Sequence, residues 1–271
     1  MLVLLKGAGD LGSAAARRLH LMGFRVVMTE LPEPLCIRRK VAFAECVFTG
    51  ATQVEGVIGE LATSPAQIDA ILRRGAVAVI VDPECSVART LQPKVIVDAR
   101  MLRRSINTRI DEADVVIGLG PGFVVGEHAH AVVETNRGHH LGRVLYEGSA
   151  EPSTGIPAPI GDQTDARVLR APASGRFEPV RDIGDRVEQG EVVASVSGQP
   201  IVAALSGVIR GLIHEGVHVR AGIKVGDIDP RGVREYCFTI SDKANAVAGG
   251  VVEACCWLLR QRLDWRPAME K

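Results

Sequence analysis

The sequence predicts an α/β chain in two parts: a parallel sheet with helices on both faces, then a small all-β unit and a closing helix. Three observations carry this. An apolar run of strand length, Leu2 to Leu5, breaks straight into a glycine turn, Gly7-Ala8-Gly9-Asp10-Leu11-Gly12. Strand-like and helix-like stretches then alternate, the order that gives parallel strands with crossover helices. From Ala171 to Ile228 the chain is rich in Val and Gly and repeats itself at a spacing of 32 residues.

The bulk composition sets the limits. At 271 residues the chain suits one large domain or two smaller ones. Hydrophobic residues make up 46% and charged residues 24%, an ordinary soluble composition. Lys+Arg and Asp+Glu both number 32, and no basic run stands out, which argues against a nucleic-acid binder. Aromatics at 4% leave few platforms for stacking single strands. No apolar run approaches the roughly 18 residues of a membrane span, and the best candidate, Ala246 to Leu259, contains Glu253. The start, Met1 to Gly7, is too short for a signal peptide. The expectation is a cytoplasmic protein with no nucleic-acid or membrane partner. Its six cysteines (36, 46, 85, 237, 255 and 256) are then reduced, and without a CxxC pair a structural zinc site is not expected.

The elements follow in order. After the first strand and the turn, Ser13 to Met22 reads as a helix stopped by Gly23. Arg25 to Thr29 reads as a second strand ending at Glu30, with Pro32 and Pro34 breaking the chain. Further strands are expected at 76–81, 94–97 and 114–118, separated by helices around 64–74 and 86–91. Their apolar runs lack strict alternation, as strands buried on both faces do. Together these make residues 1–150 a Rossmann-like α/β domain. Residues 151–163, with Pro152, Gly155, Pro157, Pro159 and Gly161, read as a linker. In 164–232, Ala171-Pro-Ala-Ser-Gly175 answers Ala203-Ala-Leu-Ser-Gly207, and Gly184, Val187, Gly190 and Val193 answer Gly216, Val219, Gly222 and Val225. Two copies are too few for a solenoid, so two β units folding onto each other is the economical reading. Residues 233–271 close the chain with a helix at 241–263, capped by Ser241 or Asp242. Its small residues, Ala244, Ala246, Ala248, Gly249 and Gly250, permit close contact with the first domain or with a second subunit in a homo-oligomer.

The glycine turn is the first candidate site. It follows a strand and opens a helix, where Gly7 allows the tight turn, Gly9 admits a ligand to the backbone and Gly12 lets helix and strand pack. The helix N-terminus, at Asp10, Leu11 and Gly12, adds partial positive charge for a phosphate. Glu30 lies 18 residues after Gly12 at a strand end, where an acid meets a ribose hydroxyl. Asp10 either repels a phosphate or caps the helix. Asp82 and Asp98 also end strands; Asp82 reads as a solvated loop acid, while Asp98 is either a solvated acid or a candidate for hydroxyls or a cation. Gly118-Leu119-Gly120-Pro121-Gly122 is a second glycine loop after a strand, either an anion-binding nest short of one donor at Pro121 or a structural turn. His128, His130, His139 and His140 lie close in sequence, but no HExxH or nearby cysteine supports a metal site, and none is expected. Cys255 and Cys256 read as packing residues, and Cys36 and Cys46, near Arg38-Arg39-Lys40, as packed cysteines or as one reactive thiol.

The repeat resembles the biotinyl/lipoyl-like β barrel, whose halves meet at a hairpin, here Ser197-Gly198-Gln199-Pro200. Carrier domains of that family place a modified lysine there. This chain has no lysine between Lys94 and Lys224, so a lysine-borne swinging arm is excluded. Taken in order, the stretches Gly7–Leu11, Gly23–Glu30, Ile37–Glu45, Val97–Met101, Ile117–Phe123, Glu134–Val144, Gly226–Arg231 and Gly249–Ala254 resemble the YqeB family of selenium-dependent molybdenum hydroxylase accessory proteins. The resemblance implies a role in maturing molybdenum hydroxylases that carry a labile selenium, with a molybdenum hydroxylase or cofactor-assembly proteins as partners. The first domain also looks like the Rossmann portion of the xanthine dehydrogenase accessory factors.

Three functions compete. The first is an accessory factor holding a small phosphate-bearing ligand, either a nucleotide (NAD or NADP) or the molybdenum cofactor. The second is an NAD(P)-dependent oxidoreductase, for which no acid/base pair stands out in the sequence but His139 or His140 could serve. The third is a non-catalytic scaffold that docks a hydroxylase through its β domain.

Overall fold

The computed structural model describes residues 1–102, 106–153, 163 and 165–263. The chain runs β1 (Leu2–Lys6), α1 (Asp10–Leu21), β2 (Arg25–Glu30), α2 (Cys46–Thr49), β3 (Ala51–Val54), β4 (Val57–Ala62), α3 (Pro65–Arg73), β5 (Val77–Val81), α4 (Ala88–Leu91), β6 (Val95–Asp98), β7 (Val115–Leu119), β8 (Ala131–Val133) and β9 (Val144–Leu145). These strands form one nine-stranded sheet in the order β3-β4-β5-β2-β1-β6-β7-β8-β9. From β4 to β8 neighbours pair parallel; β3 with β4 and β8 with β9 pair antiparallel.

The pleat explains the unbroken apolar runs. Val3 and Leu5 of β1 and Val95 and Val97 of β6 enter one core with α1 and the C-terminal helix. Leu4 and Ile96 between them enter the opposite core, against Ile68 and Ile71 of α3. Successive residues reach opposite faces of a strand, so a strand covered on both sides is apolar throughout.

The second unit comprises β10 (Val168–Arg170), β11 (Gly175–Pro179), β12 (Arg186–Val187), β13 (Val192–Val196), β14 (Gln199–Val202), β15 (Gly207–Leu212), β16 (His218–Val219) and β17 (Lys224–Asp229). They form two four-stranded antiparallel sheets, β10-β17-β15-β12 and β14-β13-β11-β16. The repeat is structural: β11, β12 and β13 begin 32 residues before β15, β16 and β17. Each sheet mixes strands of both copies, and the two enclose one core that includes Phe177, Val193, Ile209 and Val225. β13 and β14 are joined by Ser197 and Gly198, both at positive φ (51° and 74°), as a two-residue hairpin needs.

The expected fold class is corrected on this topology. The first sheet is mixed rather than the parallel Rossmann-like sheet expected, and two separate four-stranded sheets stand where a biotinyl/lipoyl-like barrel was expected. The first departure has a local cause. Glu55 and Gly56, at φ 41° and 90°, turn the chain back between β3 and β4 and add an antiparallel edge. Most of the expected linker, 154–162, and residues 264–271 of the closing segment lie outside the described residues.

The closing helix, α5 (Asp242–Leu263), packs on α1 and the first sheet, burying Ala244, Val247, Ala248, Gly250, Val251 and Ala254. Its small residues are therefore used within the chain. A Cβ on Gly250 would come within 2.3 Å of the Gly142 carbonyl oxygen. Gly250→Ala is expected to cost about 1–3 kcal/mol by overpacking, read as a lower urea midpoint at unchanged slope. Among the described residues no helix is long and apolar enough to cross a membrane.

Candidate functional site

The carboxyl ends of β1, β2, β5 and β6 meet at one edge of the first sheet, the edge where open parallel sheets hold ligands. A cavity of about 450 Å³ opens there, lined by Gly7, Gly9, Asp10 and Leu11 from the glycine turn, Glu30 from β2, and Ala99 to Leu102 beyond β6. Its remaining wall includes Leu31, Pro34, Leu35, Cys36, Asp82 and Pro83.

The turn is built as the glycine pattern requires. Gly7 sits at φ 94°, a conformation that suits glycine. A Cβ on Gly12 would lie 2.4 Å from the Gly7 carbonyl oxygen, so only glycine lets α1 lie this close to β1. Gly9 has nothing within 4 Å of its would-be Cβ and opens to the cavity. The first amides of α1 have no partner within the helix and are donors for an anion.

Glu30 is oriented by the backbone. One carboxylate oxygen accepts the Ala8 amide at 2.7 Å and the other the Leu31 amide at 2.8 Å. Burial raises its pKa above the ordinary carboxylate value, against the pull of those two amides. Asp10 stands in the first turn of α1 but caps nothing: no side-chain hydrogen bond closes the helix start, and its buried Oδ1 has no partner. Burial raises its pKa too, opposed by Arg38, Arg210, Lys243 and Arg137. Asp82 accepts Ser86 Oγ at 3.0 Å and the Val87 amide at 2.8 Å, and so holds the loop after β5.

Asp98 is fully buried and does not line the cavity. It accepts Arg100 Nε at 3.0 Å, Arg100 Nη2 at 2.6 Å, the Arg100 amide at 3.1 Å and Thr108 Oγ1 at 2.6 Å. Thr108 in turn accepts Lys6 Nζ at 2.8 Å, and Lys6 pairs with Glu112. Asp98 therefore acts on the cavity through Arg100, the one arginine in its wall among the described residues.

Gly118, Gly120 and Gly122 do not line the cavity. A Cβ on Gly118 would strike the Phe123 ring at 2.3 Å, and one on Gly120 would meet Thr135 Oγ1 at 2.5 Å. These glycines seat a buried phenylalanine and a threonine. His128 and His130 each accept a backbone amide at Nδ1, from Val124 and Val116 at 3.2 and 2.9 Å. Among the described residues no three metal-ligating side chains gather.

Sequence reasoning missed Arg100 and Cys36 as walls of this cavity. Arg100 was visible only as the neighbour of Asp98. Cys36 was noted for its basic neighbours, but in the fold it faces Asp10 and Glu30. Burial and those two carboxyls push its thiol pKa far up, against backbone hydrogen bonds from Asp10 and Arg38. The same direction holds for the other five cysteines. A thiol reacts as its thiolate, so native protein with iodoacetamide at pH 8 is expected to stay unalkylated over hours by mass spectrometry, while denatured protein takes up six groups.

No family model matches the chain. The chain is 47% identical over 260 residues to the YqeB protein of Escherichia coli (strain K12), covering 96% of this chain and 48% of that protein. It thus spans about half the length of that relative. The identity, spread over nearly the whole chain, supports the YqeB family. Similar solved structures include an aspartoacylase family protein from Mesorhizobium loti, at 17% identity and a TM-score of 0.26, covering 84% of this chain and 83% of that one. Another is a succinylglutamate desuccinylase/aspartoacylase from Rhodobacter sphaeroides, at 13% identity and a TM-score of 0.26, covering 84% of each chain. Likeness at that level decides nothing about ligand or reaction.

Proposed function

We propose, from the premise of the YqeB kinship that this identity supports, that the chain holds a nucleotide-like or cofactor-like phosphate ligand at the edge of its nine-stranded sheet and serves as an accessory factor in maturing selenium-dependent molybdenum hydroxylases. The hydroxylase role rests on the family resemblance. The ligand rests on one observation: Glu30, the open backbone at Gly9 and the N-terminus of α1 border the same cavity. Its volume, about 450 Å³, falls within the range of small-molecule sites.

The wall chemistry favours holding over hydride transfer. Leu31, Pro34, Leu35, Met101 and Leu102 make part of the wall apolar, and His139 and His140 do not line the cavity. An apolar wall suits a flat ring, while the carboxylate of Glu30 accepts from a hydroxyl.

Glu30→Gln is expected to weaken binding of a ribose-bearing ligand about tenfold, the worth of one hydrogen bond to a charged group. Titration calorimetry with NAD, NADP and AMP checks this, and equal affinities for both proteins would sink the ribose role. The pH dependence has a definite sign. The ionised carboxylate is the acceptor, and burial raises its pKa above 4.5. Affinity is therefore lost as pH falls through that raised value, and Glu30→Gln removes this part of the dependence.

A further inference from the structure

We propose that a second cavity, at the same sheet edge but on the other face of the sheet, is a phosphate site in which Lys6, Arg89, Arg100 and Arg109 receive the phosphate group of a small molecule. It goes beyond the ligand reading above and needs no occupant at the glycine turn, although Arg100 lines both cavities.

Alternation along β1 and β6 decides the face. Leu4 and Ile96 enter the core against α3, so Lys6 and Asp98, two residues on, lie on that same face. Leu5 and Val97 enter the core with α1, whose first turn borders the first cavity. The cavity on the α3 face has a volume of about 600 Å³, within the range of small-molecule sites and more than a bare phosphate fills. Its wall brings together Lys6 from the end of β1, Arg89 from α4, Arg100 from beyond β6, and Arg109. Against these four cations stand two carboxylates, Glu84 and Glu112.

Hydrogen bonds tie these cations to one another and leave donors over. Lys6 is 4% exposed yet lines the cavity. An ammonium has three N–H donors; Lys6 spends one on Thr108 Oγ1, at 2.8 Å, and one on Glu112 Oε2. Thr108 Oγ1 also accepts Arg100 Nη2 at 3.0 Å, so ammonium and guanidinium meet on one hydroxyl. The other oxygen of Glu112 accepts the Arg109 amide at 2.9 Å, so Lys6 and the backbone of Arg109 meet on one carboxylate. Both arginines spend the same edge on an acid. Arg100 gives Nε and Nη2 to Asp98 at 3.0 and 2.6 Å, and Arg109 gives Nε and Nη2 to Asp111 at 2.8 and 2.7 Å. Each guanidinium is thereby fixed, and the Nη1 of each makes no hydrogen bond among the described residues. Arg89 is exposed and makes no hydrogen bond or ion pair among them. Asn107 Oδ1 accepts from Arg100 at 2.7 Å, which leaves its Nδ2 as one more donor in the wall. Glu84 is exposed and makes no ion pair among the described residues, so it can turn to solvent. A phosphate dianion suits this surplus of donors: its terminal oxygens only accept, and its bonds to guanidinium and ammonium are charge-assisted. A carboxylate, with two oxygens, serves fewer of them.

The test uses the full chain with inorganic phosphate, glycerol 3-phosphate and malonate at constant ionic strength, read by titration calorimetry and by melting temperature against matched sodium chloride. Wild type is expected to bind both phosphates, to melt higher with them, and to bind malonate about fivefold more weakly. Arg89→Glu, at an exposed position with no ion pair to break, is expected to melt as wild type does without anion and to lose about tenfold in affinity for both phosphates. Arg109→Met breaks only an exposed pair, which contributes little to stability, and is expected to lose a similar factor. Gly9→Ala and Glu30→Gln, which alter the first cavity, are expected to keep phosphate affinity, so the two readings fail separately. Phosphate lost in Gly9→Ala but kept in Arg89→Glu and Arg109→Met would place the anion at the glycine turn and overturn the proposal. So would a wild type that responds to neither phosphate up to about 20 mM, or one that binds malonate as tightly as phosphate. Binding of inorganic phosphate without glycerol 3-phosphate would overturn the assignment to a phosphate ester.

Discussion

Asp98→Ala is expected to cost roughly 3–5 kcal/mol of folding stability, the usual consequence of removing one partner from a buried charge network. Asp98 is 0% exposed and accepts four hydrogen bonds, three from Arg100 and one from Thr108. Without it, Arg100 keeps its acceptors at Asn107 Oδ1, 2.7 Å away, and Thr108 Oγ1, 3.0 Å away, but no carboxylate. The buried Lys6 sits one step along the chain, through Thr108. Two cations at the end of β1 and β6 would then answer to Glu112 alone. Ligand affinity should fall as well, because Arg100 leaves its fixed place in the cavity wall. Urea denaturation of Asp98→Ala and Asp98→Asn gives the check. The asparagine variant keeps an acceptor and should lose less. A loss under about 1 kcal/mol for the alanine variant would show that Arg100 is held by something other than this pair.

The second large effect is a contrast within the glycine turn. Gly12→Ala forces a methyl to within 2.4 Å of the Gly7 carbonyl oxygen and 3.1 Å of Ala99 Cβ. Backbone must move to relieve it, at an expected cost of about 1–3 kcal/mol. The displaced turn should also bind ligand poorly. Gly9→Ala meets nothing within 4 Å, so its stability should stay within about 0.5 kcal/mol of wild type. Its methyl projects into the cavity, however, and ligand binding should drop at least as far as in Gly12→Ala. Paired denaturation and titration of the two variants read this directly. If Gly9→Ala bound every tested ligand as wild type does, the turn would be a packing device only.

Much of this was legible in the sequence for a physical reason. Leu2 to Leu5 with the following glycines announces a strand, a tight turn and a helix, because the apolar run has strand length and the glycines allow the tight turn and the close helix–strand packing. Glu30 was placed correctly at the end of β2, where it meets the turn. The 32-residue repeat showed itself because identical turns need identical glycines. The mixed character of the sheet was less visible. It depends on Glu55 holding a positive φ of 41° beside Gly56, and glutamate gives little warning of that. The glycines at 118, 120 and 122 left two readings open, a nest or a structural turn, because a glycine that yields to a Phe123 ring or to Thr135 reads the same as one that yields to a phosphate.

The central claim is that the sheet-edge cavity bounded by Gly9, Glu30 and Arg100 holds a nucleotide-like or cofactor-like phosphate ligand. Native mass spectrometry of the purified full chain, before and after incubation with NAD, NADP, AMP or molybdenum cofactor, tests it most directly. One stoichiometric adduct is expected on wild type, strongly reduced in Gly9→Ala and in Glu30→Gln. Bare protein mass under every condition, or an adduct of equal occupancy in all three proteins, would contradict it.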